Sequence, residues 1–129
     1  RAETNYIPPT PQQFAAMRAE ANTLGYTPEH VLDFYRGRQI WIEHANGLIS
    51  RYAHLSTISE GLQVGSTVAA GDVIGAVGNS GSPASQESPQ SDSHLHFELW
   101  LLGADGTGTY IGQYLRPIQT RYWLTQIFQ

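Results

Sequence analysis

From Gly61 to Gly81 the chain reads GLQVGSTVAAGDVIGAVGNSG, with a glycine every three to six residues. Glycine at that density excludes a helix and a long strand, because each one inside such an element costs roughly 0.5–1 kcal/mol relative to alanine. Val68, Val73, Ile74 and Val77 remain as short apolar stretches between glycine corners. A segment of this kind folds as short strands of a small, tightly bent antiparallel sheet or barrel.

The flanks complete a mainly β domain with helical additions at both ends. Thr10-Pro11-Gln12-Gln13 offers a cap, a proline at the first helical position and a Gln able to close a capping box. Phe14, Met17, Ala21 and Leu24 follow at helical spacing, and Gly25 is the expected stop. A second helix starts at Thr27-Pro28-Glu29, carries Val31, Leu32 and Phe34, and ends near Gly37. From Gln39 the period changes to two. QIWIEHANGLISRYAHL reads as two strands around Asn46-Gly47, a strong hairpin signal. Ser82 to Ser93 is almost free of apolar side chains and reads as a long polar loop, either walling a groove or disordered. After Pro117 a C-terminal helix is expected, with Trp123, Leu124, Ile127 and Phe128 facing the sheet. The expected division is a helical insertion over 1–38, a β core over 39–117 and a packed helix over 118–129.

The chemistry lies in SDSHLHFELW. In a strand His94, His96, Glu98 and Trp100 share one face, and Leu95, Phe97, Leu99 and Leu101 form an apolar, core-facing one. At ~3.3 Å per residue the two imidazoles lie about 6.6 Å apart. They can bind one ion together, or one can bind it while the other reaches its water. In SRYAH the same period groups Ser50, Tyr52 and His54, so three histidines converge if the two strands are neighbours. His44 beside the turn reads as exposed. His30 and Asp33, three apart on the short helix, read as a solvated face rather than a metal clip.

Composition removes several classes. The 129 residues carry a net charge of −4, which gives no electrostatic footprint for nucleic acid or anionic membrane. Cysteine is absent, so there is no disulfide framework and no thiolate chemistry. No apolar run approaches the ~20 residues of a membrane span. The opening RAETNYIPPT has neither an initiator Met nor a signal-peptide pattern, and the chain is expected to be part of a longer product.

RYAHL, then VGSTVAAGDVIGAVGNSG, then HLHFEL resemble the lysostaphin/LytM-type zinc metallopeptidases, which cut peptidoglycan peptides. The order and spacing match from about Gly37 to Pro117. The resemblance implies a small antiparallel β structure of the duplicated hybrid motif type, with Thr10 to Gly37 as a helical insertion. It implies one Zn2+ held through His96, and it gives His54 and His94 the handling of the attacking water and the oxyanion. Tyr52 and Asn79 are candidate groove residues, and Glu98 a candidate partner behind the ligands. The implied substrate is a cross-bridge or stem peptide, and the implied location periplasmic, extracellular or cell-wall associated.

The family site also needs a His and an Asp from a His-x-Gly-x-Asp segment, and no such string occurs in the sequence. Arg1-Ala2 resembles the tail of the strand that precedes the insertion. The chain is therefore expected to be the C-terminal part of the domain, incomplete and inactive alone, with the missing N-terminal half as a candidate partner. A non-catalytic module that binds cell wall or regulates another hydrolase is the alternative. The glycine pattern also resembles biotinyl and lipoyl carrier domains, but those need an attachment lysine, and all seven basic residues are Arg.

Overall fold

The structure is a computed structural model and describes residues 1–45, 47–103 and 108–127. Its elements are α1 (Pro11–Leu24), α2 (Glu29–Arg36), β1 (Ile40–Glu43), β2 (Leu48–Ala53), β3 (Leu55–Ile58), β4 (Gly75–Val77), β5 (His96–Leu102), β6 (Gly108–Tyr110) and α3 (Pro117–Ile127). The strands form antiparallel sheets of four, in the order β1-β2-β5-β6, and of two, β3-β4. A small antiparallel β fold with helices at both ends is what the glycine spacing and the change of period predict.

The chain divides into two units: Arg1–Trp41 with Tyr52–Phe97, and Ile42–Arg51 with Glu98–Gln129. In the first, α1 forms where the sequence marks it. Thr10 caps the helix, its side chain and that of Gln13 close the capping box, and Gly25 ends it. Only Phe14 of α1 is buried, and its ring meets Phe34 edge-on at 5.1 Å. Val31, Ile40, Ala53 and Leu55 complete this core. Arg1–Glu3 runs beside Gln39–Trp41, with Ala2 bridging Ile40 in antiparallel sense. Asp33 receives the Arg1 guanidinium at 2.8 Å and the amide of fully buried Gln39 at 2.9 Å. Burial alone would raise the Asp33 carboxyl, but these bonds and the charges of Arg1 and Arg36 hold it below its ordinary value.

The glycine-rich run yields less strand than its valines suggest. Within it Gly75–Val77 pairs antiparallel to β3 and Gly78 makes an isolated bridge to His94, while Val64 and Val73 stay exposed outside any strand. In the second unit Leu99 is buried and Arg51 pairs with Glu98 at 3.0 Å. Its guanidinium also lies 5.0 Å from the centre of the Trp100 ring. No α3 residue is buried: Trp123 is 52 % and Ile127 41 % exposed, against the expectation that they face the sheet. Asn46 of the expected turn and Phe128 lie outside the described residues.

Candidate active site

β2 ends at Ala53, and His54 turns the chain into β3 with φ +59°. That left-handed conformation costs a non-glycine residue about 1–3 kcal/mol and persists only where neighbours enforce it. Here the enforcers are two backbone bonds, His54 N–H to the Arg36 carbonyl (2.9 Å) and Leu55 N–H to the Arg38 carbonyl (3.0 Å). The imidazole is buried, and its Nδ1 lies 2.8 Å from the Ser80 carbonyl oxygen.

His94 and His96 reach this ring from the start of β5. His94 precedes the strand in an isolated bridge, its N–H donating to the Gly78 carbonyl at 3.0 Å. His96 is the first residue of the strand. The His54 ring centre is 4.8 Å from that of His94 and 5.5 Å from that of His96, both edge-on. His94 is exposed and His96 half-buried, so the cluster opens to solvent on the His94 side. Burial pushes the His54 pKa below its ordinary value. The Ser80 hydrogen bond opposes this, His94 and His96 add to it, and the Asp92 charge again opposes it.

The remaining expected residues separate. Tyr52 is half-buried, with its ring 5.3 Å from that of Phe97. Asn79 is buried, and its amide donates to the carbonyls of Ser88 (2.7 Å) and Ser91 (2.6 Å). It therefore ties down the polar loop, which folds as a short 3-10 turn, Pro83–Gln86, followed by further turns. Glu98 belongs to the second unit, where its carboxylate accepts from Trp100 Nε1 at 2.6 Å and pairs with Arg51. His30 pairs with Glu20 at 2.9 Å rather than with Asp33, and His44 is exposed, with Nε2 2.9 Å from Ser50 Oγ.

Sequence reasoning missed Ser80 and Asp92. Their main-chain carbonyls face the Nδ1 atoms of His54 and His94 at 2.8 and 2.7 Å. A backbone carbonyl leaves no residue-type signal; only the glycines around Ser80 hint at a forced backbone approach.

The β core gathers three imidazoles beside short strands, and comparison with known proteins gives the family. The chain belongs to peptidase family M23, whose profile matches residues 19–111. It is also similar to the DD-carboxypeptidase/endopeptidase Mpg of Neisseria meningitidis serogroup B and of Neisseria gonorrhoeae, with 39% identity over 67 residues in each case. The match covers 52% of this chain and 13% of those relatives. No solved structure gives a significant match.

Peptidases of this family are generally zinc-dependent. A zinc site takes three or four protein ligands. Among the described residues, no group of three or more His, Cys, Asp or Glu side chains is arranged to hold a metal ion. The three histidines alone therefore do not fit a zinc site.

Proposed function

We propose that this chain supplies the imidazole part of a zinc endopeptidase centre that hydrolyses peptide bonds of bacterial peptidoglycan, in a cross-bridge or a stem peptide. His96 is the one metal ligand carried here. The family's His-x-Gly-x-Asp string, whose His and Asp would complete the set, does not occur in these 129 residues, and in this reading the isolated chain is inactive. The observation that carries the reading is the approach of the His94 and His96 rings to within 4.8 and 5.5 Å of the His54 ring in a chain of family M23.

Hydrolysis of an amide needs a proton taken from the attacking water and one delivered to the leaving amine. In this reading His54 and His94, whose ring centres lie 4.8 Å apart, take those tasks. Burial favours the neutral form of His54, which is the form that accepts a proton. Tyr52 lines the groove against the extended peptide. Asn79 acts on the substrate side through the loop it anchors. The working location is the cell envelope.

The test is muropeptide release from purified peptidoglycan. The chain alone releases nothing. Co-expressed with an upstream family M23 segment carrying His-x-Gly-x-Asp, it releases peptide fragments, and His96→Ala abolishes the release. Cleavage by the chain alone, or by the pair carrying His96→Ala, overturns the reading.

A further inference from the structure

Two histidines of the cluster share a feature that the family match does not explain. Each has Nδ1 against a main-chain carbonyl oxygen: His54 against Ser80 at 2.8 Å and His94 against Asp92 at 2.7 Å. A carbonyl oxygen only accepts hydrogen bonds, so each contact requires the proton on Nδ1. The tautomer of both rings follows from the backbone.

The backbone that does this is under constraint at both places. Gly37 and Gly81 press two chain segments together. A Cβ on Gly37 would lie 2.2 Å from the Ser80 oxygen, and one on Gly81 would lie 2.4 Å from Gly37 N. Both glycines have positive φ, +64° and +75°, where a side chain is strained even in open space. The Ser80 hydroxyl also accepts the Arg38 N–H at 2.9 Å, tying the segment that precedes β1 to the one that holds the carbonyl. Ser80 thus meets the approach to His54 from two sides, through Arg38 and through Gly37. Asp92 is itself a non-glycine residue at φ +53°, and its carbonyl turns back onto the ring two residues ahead. Four positions with positive φ, Gly37, His54, Gly81 and Asp92, therefore bear on two imidazoles.

We propose that Ser80 and Asp92 are positioning residues whose main-chain carbonyls fix His54 and His94 as Nδ1–H tautomers, so that both present an Nε2 lone pair to the substrate side. This rests on the peptidase reading for its purpose, but not for its test. In the neutral cluster both histidines are acceptors at Nε2. Neither donates there until it has taken a proton, which fits a pair that must first accept the proton of water. The Gly37–Gly81 contact is the device that delivers the Ser80 carbonyl, so the Gly-Asn-Ser-Gly turn serves His54 through its backbone.

The experiment is long-range 1H–15N correlation NMR of the uniformly 15N-labelled 129-residue chain, at a pH where the rings are neutral. The expected result is a protonated-nitrogen shift at Nδ1 and an unprotonated-nitrogen shift at Nε2 for both His54 and His94. A short histidine-containing peptide at the same pH serves as the reference for a ring without such a carbonyl, because the His30 ring is itself biased by Glu20 at 2.9 Å. Ser80→Ala keeps the carbonyl and leaves the His54 pattern intact. Gly81→Ala, where it folds, shifts His54 toward the tautomer mixture of the reference peptide and leaves His94 unchanged. The opposite tautomer, or a mixture like that of the reference peptide, at either ring of the wild-type chain overturns the proposal even if no variant folds. Such a result leaves the peptidase reading standing, since muropeptide release tests that separately.

Discussion

His54 concentrates the constraints of the site: left-handed backbone, burial, and two neighbouring imidazoles. Because burial and those neighbours lower its folded pKa below the ordinary 6.5, the unfolded chain binds more protons than the folded one as pH falls through that window. Stability is therefore full above about 6.5 and is lost as pH drops through the lower folded value. His54→Gln removes this component, so the variant loses less stability than wild type over that range in denaturant unfolding at stepped pH. Identical profiles for the two proteins contradict the assignment. Asp33 does not confuse the reading. Its carboxyl, held below 3.8 by Arg1 and Gln39 against the effect of burial, contributes stability that is lost only at still lower pH. Side-chain identity made His54, His94 and His96 legible as candidates, but not the Ser80 and Asp92 carbonyls, because every residue carries one.

At the scale of elements, α1 shows when local signals suffice. Thr10, Pro11, Gln13 and Gly25 each act within one turn of the helix end, so their order predicts both limits. Thr10→Ala removes the hydroxyl that accepts the Gln13 N–H and lowers stability by about 1 kcal/mol, read as a fall in Tm with a small loss of helical circular dichroism. An unchanged Tm contradicts that role. β5 shows the limit of such signals. Period two states which side chains share a face, but not what covers the face. Leu99 is buried, whereas Leu95 and Leu101, on the same face by alternation, are 44% and 49% exposed. Leu99→Ala is accordingly the severe change, costing about 2–5 kcal/mol in chemical unfolding, and Leu101→Ala the mild one. The reverse order contradicts the burial pattern. The glycine-rich run was legible as bent but not as mostly outside strands, because its valines carry strand propensity that β3 answers at Gly75–Val77 alone.

At the scale of the molecule, the match to family M23 over residues 19–111 and the small antiparallel sheets agree with what the histidine and glycine motifs predict. The central claim is that the chain brings three imidazoles together without a full ligand set for zinc. The measurement that tests it most directly is zinc content of the purified 129-residue chain after dialysis, by elemental analysis, beside His96→Ala. The account predicts far less than one zinc per chain in both, since a single protein ligand holds the ion poorly. One zinc per chain that survives dialysis and disappears in His96→Ala contradicts it, and means that these residues complete the site themselves.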